Sequence, residues 1–362
     1  MLKTILNTIL FTLLTISAIA QDSTSVSTPL EISGSVDTYF KYDLSGNKKG
    51  NINRYTFFDS DNNSVSIGMV DVILKKSIGK TSFFGELSYG PRGQYESLQS
   101  AADGNSFHIQ NLFVNYQLTE KLSMTAGFMS TFVGYEVIAP TGNFNYSTSY
   151  LFGAGPFQDA GIKANYAFSD KVKLMVGLFN DWNTYKDMNG VSHVGAQLAI
   201  TPVEGWTSYI NVLSGRSAAT DDLPGDQVLG SGTIIDLVST YQITKEFKLG
   251  LNAADYTMPN DNAGGFSYSG VALYPQYSFS QSFALGLRGE YFKFKNYGEG
   301  ADFVEGNNFK SLTVSGNYKI GGLTIIPEIR FDNSSNDIFF KRNEIDRAKS
   351  ASQFSLAAVF AF

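Results

Sequence analysis

The stretch that decides the fold is Gln-Phe-Ser-Leu-Ala-Ala-Val-Phe-Ala-Phe, at residues 353–362. Its odd side chains are small or polar apart from Val359, and its even ones are apolar: Phe354, Leu356, Ala358, Phe360 and Phe362. Successive side chains of a β-strand point to opposite faces. This period of two therefore predicts a strand with one apolar face.

A matching strand is predicted near the other end of the chain, at residues 31–42. Ile32 and Phe40 share one face of it, and Asp37 and Lys41 share the other. A soluble sandwich would turn the apolar face to a core, whereas a membrane barrel would turn it to lipid and the polar face to water in the lumen. We expect the two end strands to pair and close such a barrel.

The aromatic end of the chain, Phe360 and Phe362, resembles the sorting signal of bacterial outer-membrane proteins. We therefore expect both residues to act in assembly, with the last strand presented to the barrel assembly machinery. The alternative is a sandwich strand that happens to end the chain.

The first residues have the features of a secretory signal peptide. Lys3 is the first charged residue and Asp22 the next, an apolar run covers residues 9–19, and Ala18-Ile19-Ala20 is a small-x-small cleavage site. An uncleaved anchor is the alternative, but the run is shorter than the ~20 residues that span a bilayer. The expected parts of the chain are a signal peptide, a short N-terminal segment and an outer-membrane barrel: 1–20, 21–29 and 30–362.

The composition argues against several classes of protein. The cysteine count is 0, so no disulfide framework or thiolate metal site is expected. The formal net charge of −6 argues against a nucleic-acid partner. After the signal peptide no apolar run reaches spanning length, and a closed barrel is then the structure that satisfies every backbone group inside lipid.

Short and long connections alternate along the chain. The short turns are predicted at 78–79, 119–120, 169–170, 201–205, 244–246, 280–281 and 321–322. The long loops are predicted at 43–64, 90–107, 130–159, 181–191, 215–232, 255–267, 296–308 and 332–351. Short turns on one side and long loops on the other are typical of outer-membrane barrels. We predict an all-β, transmembrane, antiparallel up-and-down barrel of about 16 strands, wide enough for an aqueous channel.

The third long loop is the longest, and its aromatic residues are Phe132, Tyr135, Phe144, Tyr146, Tyr150, Phe152 and Phe157. Side chains of this size need an apolar surface to pack on. We expect the loop to fold into the lumen and narrow the pore. The loop residues expected at the constriction are Tyr135, Glu136, Asn143, Asn145 and Tyr146. The alternative is a loop that covers the barrel mouth or packs on a partner protein.

Charged residues of both signs fall on the predicted inward faces: Glu31, Asp37, Lys41, Glu86, Lys163, Lys173, Arg288, Glu290, Glu328 and Arg330. In a dry core each charge would be costly, whereas in a water-filled lumen it costs little. We expect Arg288, Glu290 and Arg330 to join the constriction. The mixed lining predicts weak charge selectivity. The alternative is a pore with walls of opposite sign and a transverse field, in which Glu136 would face Arg288 and Arg330 across the pore.

The third loop and the segment after it contain a set of small, aromatic and polar residues: Gly134-Tyr135-Glu136, Asn143 to Ser147, Ser149-Tyr150-Leu151, Gly155-Pro156-Phe157, Gly161, Ala164, Tyr166, Asn180 and Trp182. The stretch from Phe132 to Asp181, together with Trp182, resembles the beta-barrel porin-2 family, the OmpL-like barrels found largely in Bacteroidota. Asp181 departs from the glycine that the family usually has there. The resemblance implies a porin-like channel and supplies no catalytic residue.

Signals for an enzyme or a bound metal are weak. His108 and His193 fall on predicted inward faces near the outer strand ends, without a catalytic motif, and we interpret them as ordinary lumen residues. Residues 59–63 open like a calcium loop but lack the later Gly and Glu of an EF-hand, so we expect a solvated loop. The same interpretation applies to the acidic residues of the fifth loop, Asp221, Asp222 and Asp226. We predict no catalytic, cofactor-binding or metal-binding residue.

These observations favour a porin-like channel in the outer membrane of a Gram-negative bacterium, for passive diffusion of small polar solutes or ions. The alternative is a barrel that acts mainly as a binding or scaffold subunit for another envelope protein. The expected partners are outer-membrane lipid, small polar solutes, and either further copies of the chain or another envelope protein.

We predict that the mature protein begins at Gln21, because the cleavage site Ala18-Ile19-Ala20 precedes it. N-terminal sequencing of the protein from an outer-membrane fraction tests this. A terminus at Met1, or a product that fractionates with the periplasm, would contradict it.

Overall fold

The computed structural model describes residues 26–50, 58–92, 107–186, 189–217, 230–258, 266–298, 303–343 and 345–362. In this part of the chain, sixteen antiparallel strands close into a single barrel. The predicted fold class and strand number are therefore confirmed. The predicted signal peptide and the three aspartates of the fifth loop lie outside the described residues.

Each barrel strand pairs with its neighbours in the chain, and the last pairs with the first. The strands are β1 (Glu31–Asp43), β2 (Ser64–Ile78), β3 (Thr81–Tyr89), β4 (Phe107–Gln117), β5 (Leu122–Ser130), β6 (Gln158–Ala167), β7 (Val172–Phe179), β8 (His193–Ile200), β9 (Trp206–Gly215), β10 (Gly232–Gln242), β11 (Phe247–Thr257), β12 (Tyr268–Ser278), β13 (Phe283–Phe294), β14 (Asn308–Ile320), β15 (Leu323–Ser334) and β18 (Ser350–Ala361). Two short strands, β16 (Phe339–Phe340) and β17 (Arg347–Ala348), form a separate hairpin in the eighth loop.

The barrel closes between β1 and β18, with the register running from Ser35 opposite Ala361 to Asp43 opposite Gln353. Beyond that ladder, the N–H of Gly34 donates to the carbonyl of Phe362 at 3.1 Å, and the N–H of Phe362 donates to the carbonyl of Gly34 at 3.1 Å. The C-terminal residue thus completes the pairing of the last strand.

The two faces of β1 have opposite surroundings. Ile32 and Val36 are exposed on the outside, with 62% and 45% of their surface accessible, whereas Asp37 and Lys41 are each 1% accessible on the inside. The same outward exposure of aliphatic and aromatic residues recurs around the barrel, as at Leu178, Leu273 and Phe331. An apolar outer surface of this kind suits contact with lipid.

The connections divide the barrel into a short-turn end and a long-loop end. The third loop contains a 3-10 turn (Pro140–Gly142) and a five-residue helix, α1 (Tyr150–Ala154), whose first turn is capped by the Ser149 hydroxyl accepting from the N–H of Phe152. Among the described residues, no helix is both long enough and apolar enough to cross a membrane.

Removal of Phe362 should lower the yield of folded barrel, because it removes both hydrogen bonds that join this residue to Gly34. We expect a clear loss of the heat-modifiable form in outer-membrane fractions. A Phe362→Tyr variant keeps the backbone pair and the ring, and should assemble like the parent chain. Unchanged folded yield after the deletion would contradict the role given to this residue.

Candidate functional site

The third loop, residues 131–157 between β5 and β6, packs on the inner wall of the barrel. Its side chains are buried at Val133, Ile138, Tyr146, Tyr150, Leu151, Phe152 and Phe157. They join apolar clusters with wall residues such as Ile234 and Phe309, and with Tyr39 on β1. Four aromatic side chains of the loop are therefore buried, whereas Phe132, Tyr135 and Phe144 are half-buried and border the large cavity of the lumen.

Carboxylates on the inward faces of the strands hold the loop by its backbone. Glu328 on β15 accepts from the N–H of Tyr146 at 2.8 Å and of Ser147 at 3.1 Å. Glu290 on β13 accepts from the N–H of Tyr150 at 3.0 Å and of Leu151 at 2.9 Å. Each carboxylate thus binds two consecutive amides, which satisfies donors that would otherwise be buried without partners.

Asp236 on β10 holds the first part of the loop and was missed by the sequence analysis. Its Oδ2 accepts from the N–H of Gly134 at 3.1 Å and from the Nδ2 of Asn211 at 2.7 Å, and its Oδ1 accepts from the Nδ2 of Asn252 at 2.5 Å. The sequence feature that could have indicated Asp236 is its position on the inward face of β10, between Ile234 and Val238. Nothing local in the sequence indicates its bond to Gly134, which lies 102 residues earlier.

Glu136 forms a buried ion pair with Arg288, at 2.8 Å between Oε1 and Nη1, where Glu136 is 4% and Arg288 0% accessible. The Oε2 of Glu136 accepts from the N–H and the hydroxyl of Ser149, at 2.7 and 2.5 Å. Arg288 also donates to the carbonyl of Ser147 and the hydroxyl of Thr313. The predicted separation of these charges across an open pore is therefore wrong, because the loop brings the carboxylate into direct contact with the guanidinium.

Arg330 does not face Glu136 either, because its guanidinium is paired with Asp332. The Nε lies 2.9 Å from both Asp332 oxygens, and Nη1 donates to the carbonyl of Thr148 at 2.7 Å. The guanidinium carbon lies 4.9 Å from the centre of the Tyr150 ring, whose hydroxyl donates to Asp332 at 2.9 Å. Arg330 thus joins the loop to the wall instead of lining open water.

Tyr146 and Asn145 anchor the middle of the loop. Tyr146 is 0% accessible, its ring lies 5.6 Å from that of Tyr39, and its hydroxyl donates to Asp37 on β1. Burial raises the pKa of the Tyr146 phenol well above its ordinary value, so the group stays a neutral donor. Asn145 donates to the hydroxyl of Ser315 on β14 at 2.6 Å.

Tyr135 and Asn143 border the water-accessible part of the lumen. Tyr135 stacks on Tyr274 of β12 with ring centres 4.2 Å apart. Asn143 closes a turn of the loop, since its Oδ1 accepts from the N–H of Val137 at 2.9 Å and its Nδ2 donates to the carbonyl of Val137 at 2.6 Å. Both side chains line a cavity of about 900 Å³ that extends from the loop toward the short-turn end.

Two further cavities lie along the side of the lumen formed by β3 to β9. One of about 430 Å³ lies at the short-turn end and shares Gln197 and Tyr209 with the large cavity. The other, of about 380 Å³, lies between the loop residues Val137, Ile138 and Ala139 and the inward faces of β3 to β6. The lumen therefore keeps open space on the side away from the bonds that hold the loop.

The calcium-like segment of the first loop, residues 59–63, is less solvated than its sequence suggests. Asp59 is buried and forms an ion pair with Lys41 at 2.9 Å, and Asn62 is buried and accepts from the N–H of Asp43 at 2.8 Å. The expectation of solvation was wrong because the partner of Asp59, the inward Lys41, lies on a different element.

The two histidines are both buried, at 4% and 2% accessibility for His108 and His193. His193 has Ser192 and Asp181 nearby: its Nδ1 lies 2.8 Å from the Ser192 hydroxyl, which also bonds Asp181 at 3.0 Å. Its Nε2 lies 2.9 Å from the carbonyl of Gly230. Both ring nitrogens of His193 thus have hydrogen-bond partners, one in the preceding residue and one in the loop before β10. In the described ranges, no group of three or more His, Cys, Asp or Glu is placed to hold a metal ion.

Several solved structures share this fold at low sequence identity. OmpT of Vibrio cholerae in its trimer form aligns with a TM-score of 0.60 at 10% identity, over 93% of this chain and 100% of that one. OmpF of Salmonella typhi, in complex with daunomycin, aligns with a TM-score of 0.62 at 14% identity, over 92% and 97%. The outer-membrane channel DcaP of Acinetobacter baumannii aligns with a TM-score of 0.57 at 12% identity, over 95% and 99%.

No curated protein sequence matches the chain. The family described as "Putative beta-barrel porin-2, OmpL-like" matches residues 29–362, which is the whole barrel. The resemblance found in the sequence is thereby confirmed across every strand, and it agrees with the closed barrel and its inward polar face. The chain belongs to this OmpL-like porin family and is a porin-type channel protein of the outer membrane of a Gram-negative bacterium.

Proposed function

We propose that the barrel is a passive diffusion channel for small polar solutes and ions, and that the third loop is its constriction. The observation that carries the proposal is the division of the lumen by this loop. Bonded to one side of the wall, it leaves a cavity of about 380 Å³ between Val137–Ala139 and β3 to β6. Solutes would pass on this side of the loop.

The side chains that line the larger cavity favour the passage of polar solutes. It includes amide, hydroxyl and ammonium groups of several strands, such as Gln197, Thr240, Lys248, Gln276 and Asn317. Such groups can replace part of the hydration shell of a polar solute without trapping it. Apolar solutes gain nothing comparable from this lining.

The charge distribution supports weak overall ion selectivity. The buried cations Lys41, Arg288 and Arg330 each form an ion pair with a carboxylate, namely Asp59, Glu136 and Asp332. Paired charges at short distance have fields that largely cancel further away. Weak selectivity was expected from the sequence because charges of both signs line the lumen. In the structure it is favoured because these cations are paired with carboxylates.

Shortening the third loop between Val137 and Phe157 should raise single-channel conductance by roughly twofold or more, because the narrowest segment dominates the resistance of a pore. The measurement is conductance in planar bilayers. The matched control is a deletion within residues 335–349 of the eighth loop, which should leave conductance unchanged. If the shortened protein folds and conducts like the parent chain, the loop is not the constriction.

A Glu136→Gln variant should loosen the loop, because it leaves the buried Arg288 without its ionic partner. A hydrogen bond to a charged group contributes about 1.5–3 kcal/mol, so the amide proton of Ser149, which donates to Glu136, should exchange about tenfold faster or more. Hydrogen exchange in detergent measures this. Glu204→Gln, in an exposed turn, is the control, and equal protection in all three proteins would show that the ion pair does not hold the loop.

A further inference from the structure

The cavity between the third loop and β3 to β6 differs from the rest of the wall in its charges. It is lined by Glu86 of β3 and Lys163 of β6, and among the described residues neither side chain forms an ion pair. Lys75 and Asp159 act on them electrostatically from the neighbouring wall but stay beyond ion-pair distance. The cavity therefore offers one carboxylate and one ammonium group to a solute.

The acidic side of the cavity is held in place by hydrogen bonds. Asn111 donates to the Oε2 of Glu86 at 2.6 Å and to the hydroxyl of Ser130 at 2.9 Å, and its Oδ1 accepts from the N–H of Ser130 at 2.6 Å. These bonds fix the amide on both sides and occupy one oxygen of Glu86. The position of the carboxylate is thus set before any solute arrives.

The loop side of the cavity is also held in place. Arg92, which is 0% accessible, donates from its Nε to the carbonyl of Ile138 at 2.7 Å and from its Nη2 to the carbonyl of Tyr146 at 3.3 Å. Its guanidinium lies 5.1 Å from the centre of the Phe58 ring. The gap between Ile138 and the wall therefore has a defined width.

Between the two charges the lining is largely apolar. Phe84 and Phe113 stack across neighbouring strands with ring centres 5.3 Å apart and planes at 10°. Met129 lines the same cavity from β5, opposite Val137 and Ile138. An apolar body that enters between them would lose contact with water on both sides.

We propose that this cavity is a selectivity site for small zwitterions with an apolar body, and above all for short peptides. Glu86 binds the ammonium end, Lys163 binds the carboxylate end, and Phe113 and Met129 contact the side chains. The inference rests on the proposed channel function and names the class of solute that the channel favours.

The spacing of the two charges favours peptides over single amino acids. Three strand spacings separate β3 from β6, which is about 14 Å around the wall. Glu86 pairs with Asn111 of β4, whereas Lys163 is in register with Asn115 of that strand through Thr125, so the two residues are also offset by about 13 Å along the strands. Both side chains line the same cavity, which brings their charged ends closer together than their backbones. Two or three extended residues span about 7–11 Å, which suits such a gap better than the short separation of charges in one amino acid.

Liposome swelling with two matched probes tests the site: L-alanyl-L-leucine, and its blocked neutral analogue N-acetyl-L-alanyl-L-leucine amide. In the parent protein the dipeptide should enter about two- to fivefold faster than the analogue, the effect expected of ion pairs with hydrated partners. Glu86→Gln and Lys163→Met should each bring the ratio to about one. Lys163→Arg keeps the charge and should keep the preference.

Controls separate this site from net charge and from folding. Lys245→Met and Glu204→Gln, both in exposed turns, make the same changes of charge elsewhere and should keep the parent ratio. Heat-modifiable mobility reports folding of every variant. If glucose and salt pass but the ratio is the same in the parent, Glu86→Gln and Lys163→Met proteins, the selectivity site is wrong and the channel stands. If neither glucose nor salt passes through the parent protein, the channel itself is wrong, and the site with it.

Discussion

The arrangement of the lumen depends on carboxylates of the wall that accept hydrogen bonds from backbone amides of the third loop. Glu328 and Glu290 each bind two consecutive N–H groups, and Asp236 binds the N–H of Gly134. A loop folded into a barrel must satisfy its backbone donors there. Charged acceptors do this more strongly than neutral ones, so the loop is bound to one side of the wall and the other side stays open.

This arrangement also decides how the inward charges act. On the side that holds the loop, Arg288 forms an ion pair with Glu136 and Arg330 forms one with Asp332. The role of these two arginines is structural. On the open side, Glu86 and Lys163 remain without ionic partners among the described residues. Charged residues that look equivalent in sequence therefore divide into those that position the loop and those that meet the solute.

The barrel could be predicted from the sequence because its signal is local. The period of two in β1 and β18, and the alternation of short and long connections, are set by neighbouring residues. The third loop was predicted at 130–159 and lies at 131–157. Arg288 was named as a residue that Glu136 would face, but their direct contact could not be predicted, because the two residues lie 152 positions apart and the register between loop and wall leaves no pattern in the chain. Asp332 was open to prediction, since it shares an inward face with Arg330 two residues before it.

We expect the loop to stay bound to the wall while solutes pass beside it. Because the chain has no cysteine, the pair Asn145→Cys and Ser315→Cys can be introduced cleanly where the two side chains meet at 2.6 Å. Single-channel conductance is then compared before and after the two thiols are joined by oxidation or a short crosslinker. We expect efficient crosslinking of the folded protein and no change in conductance. Loss of conductance on crosslinking would show instead that the loop must leave the wall for the channel to open.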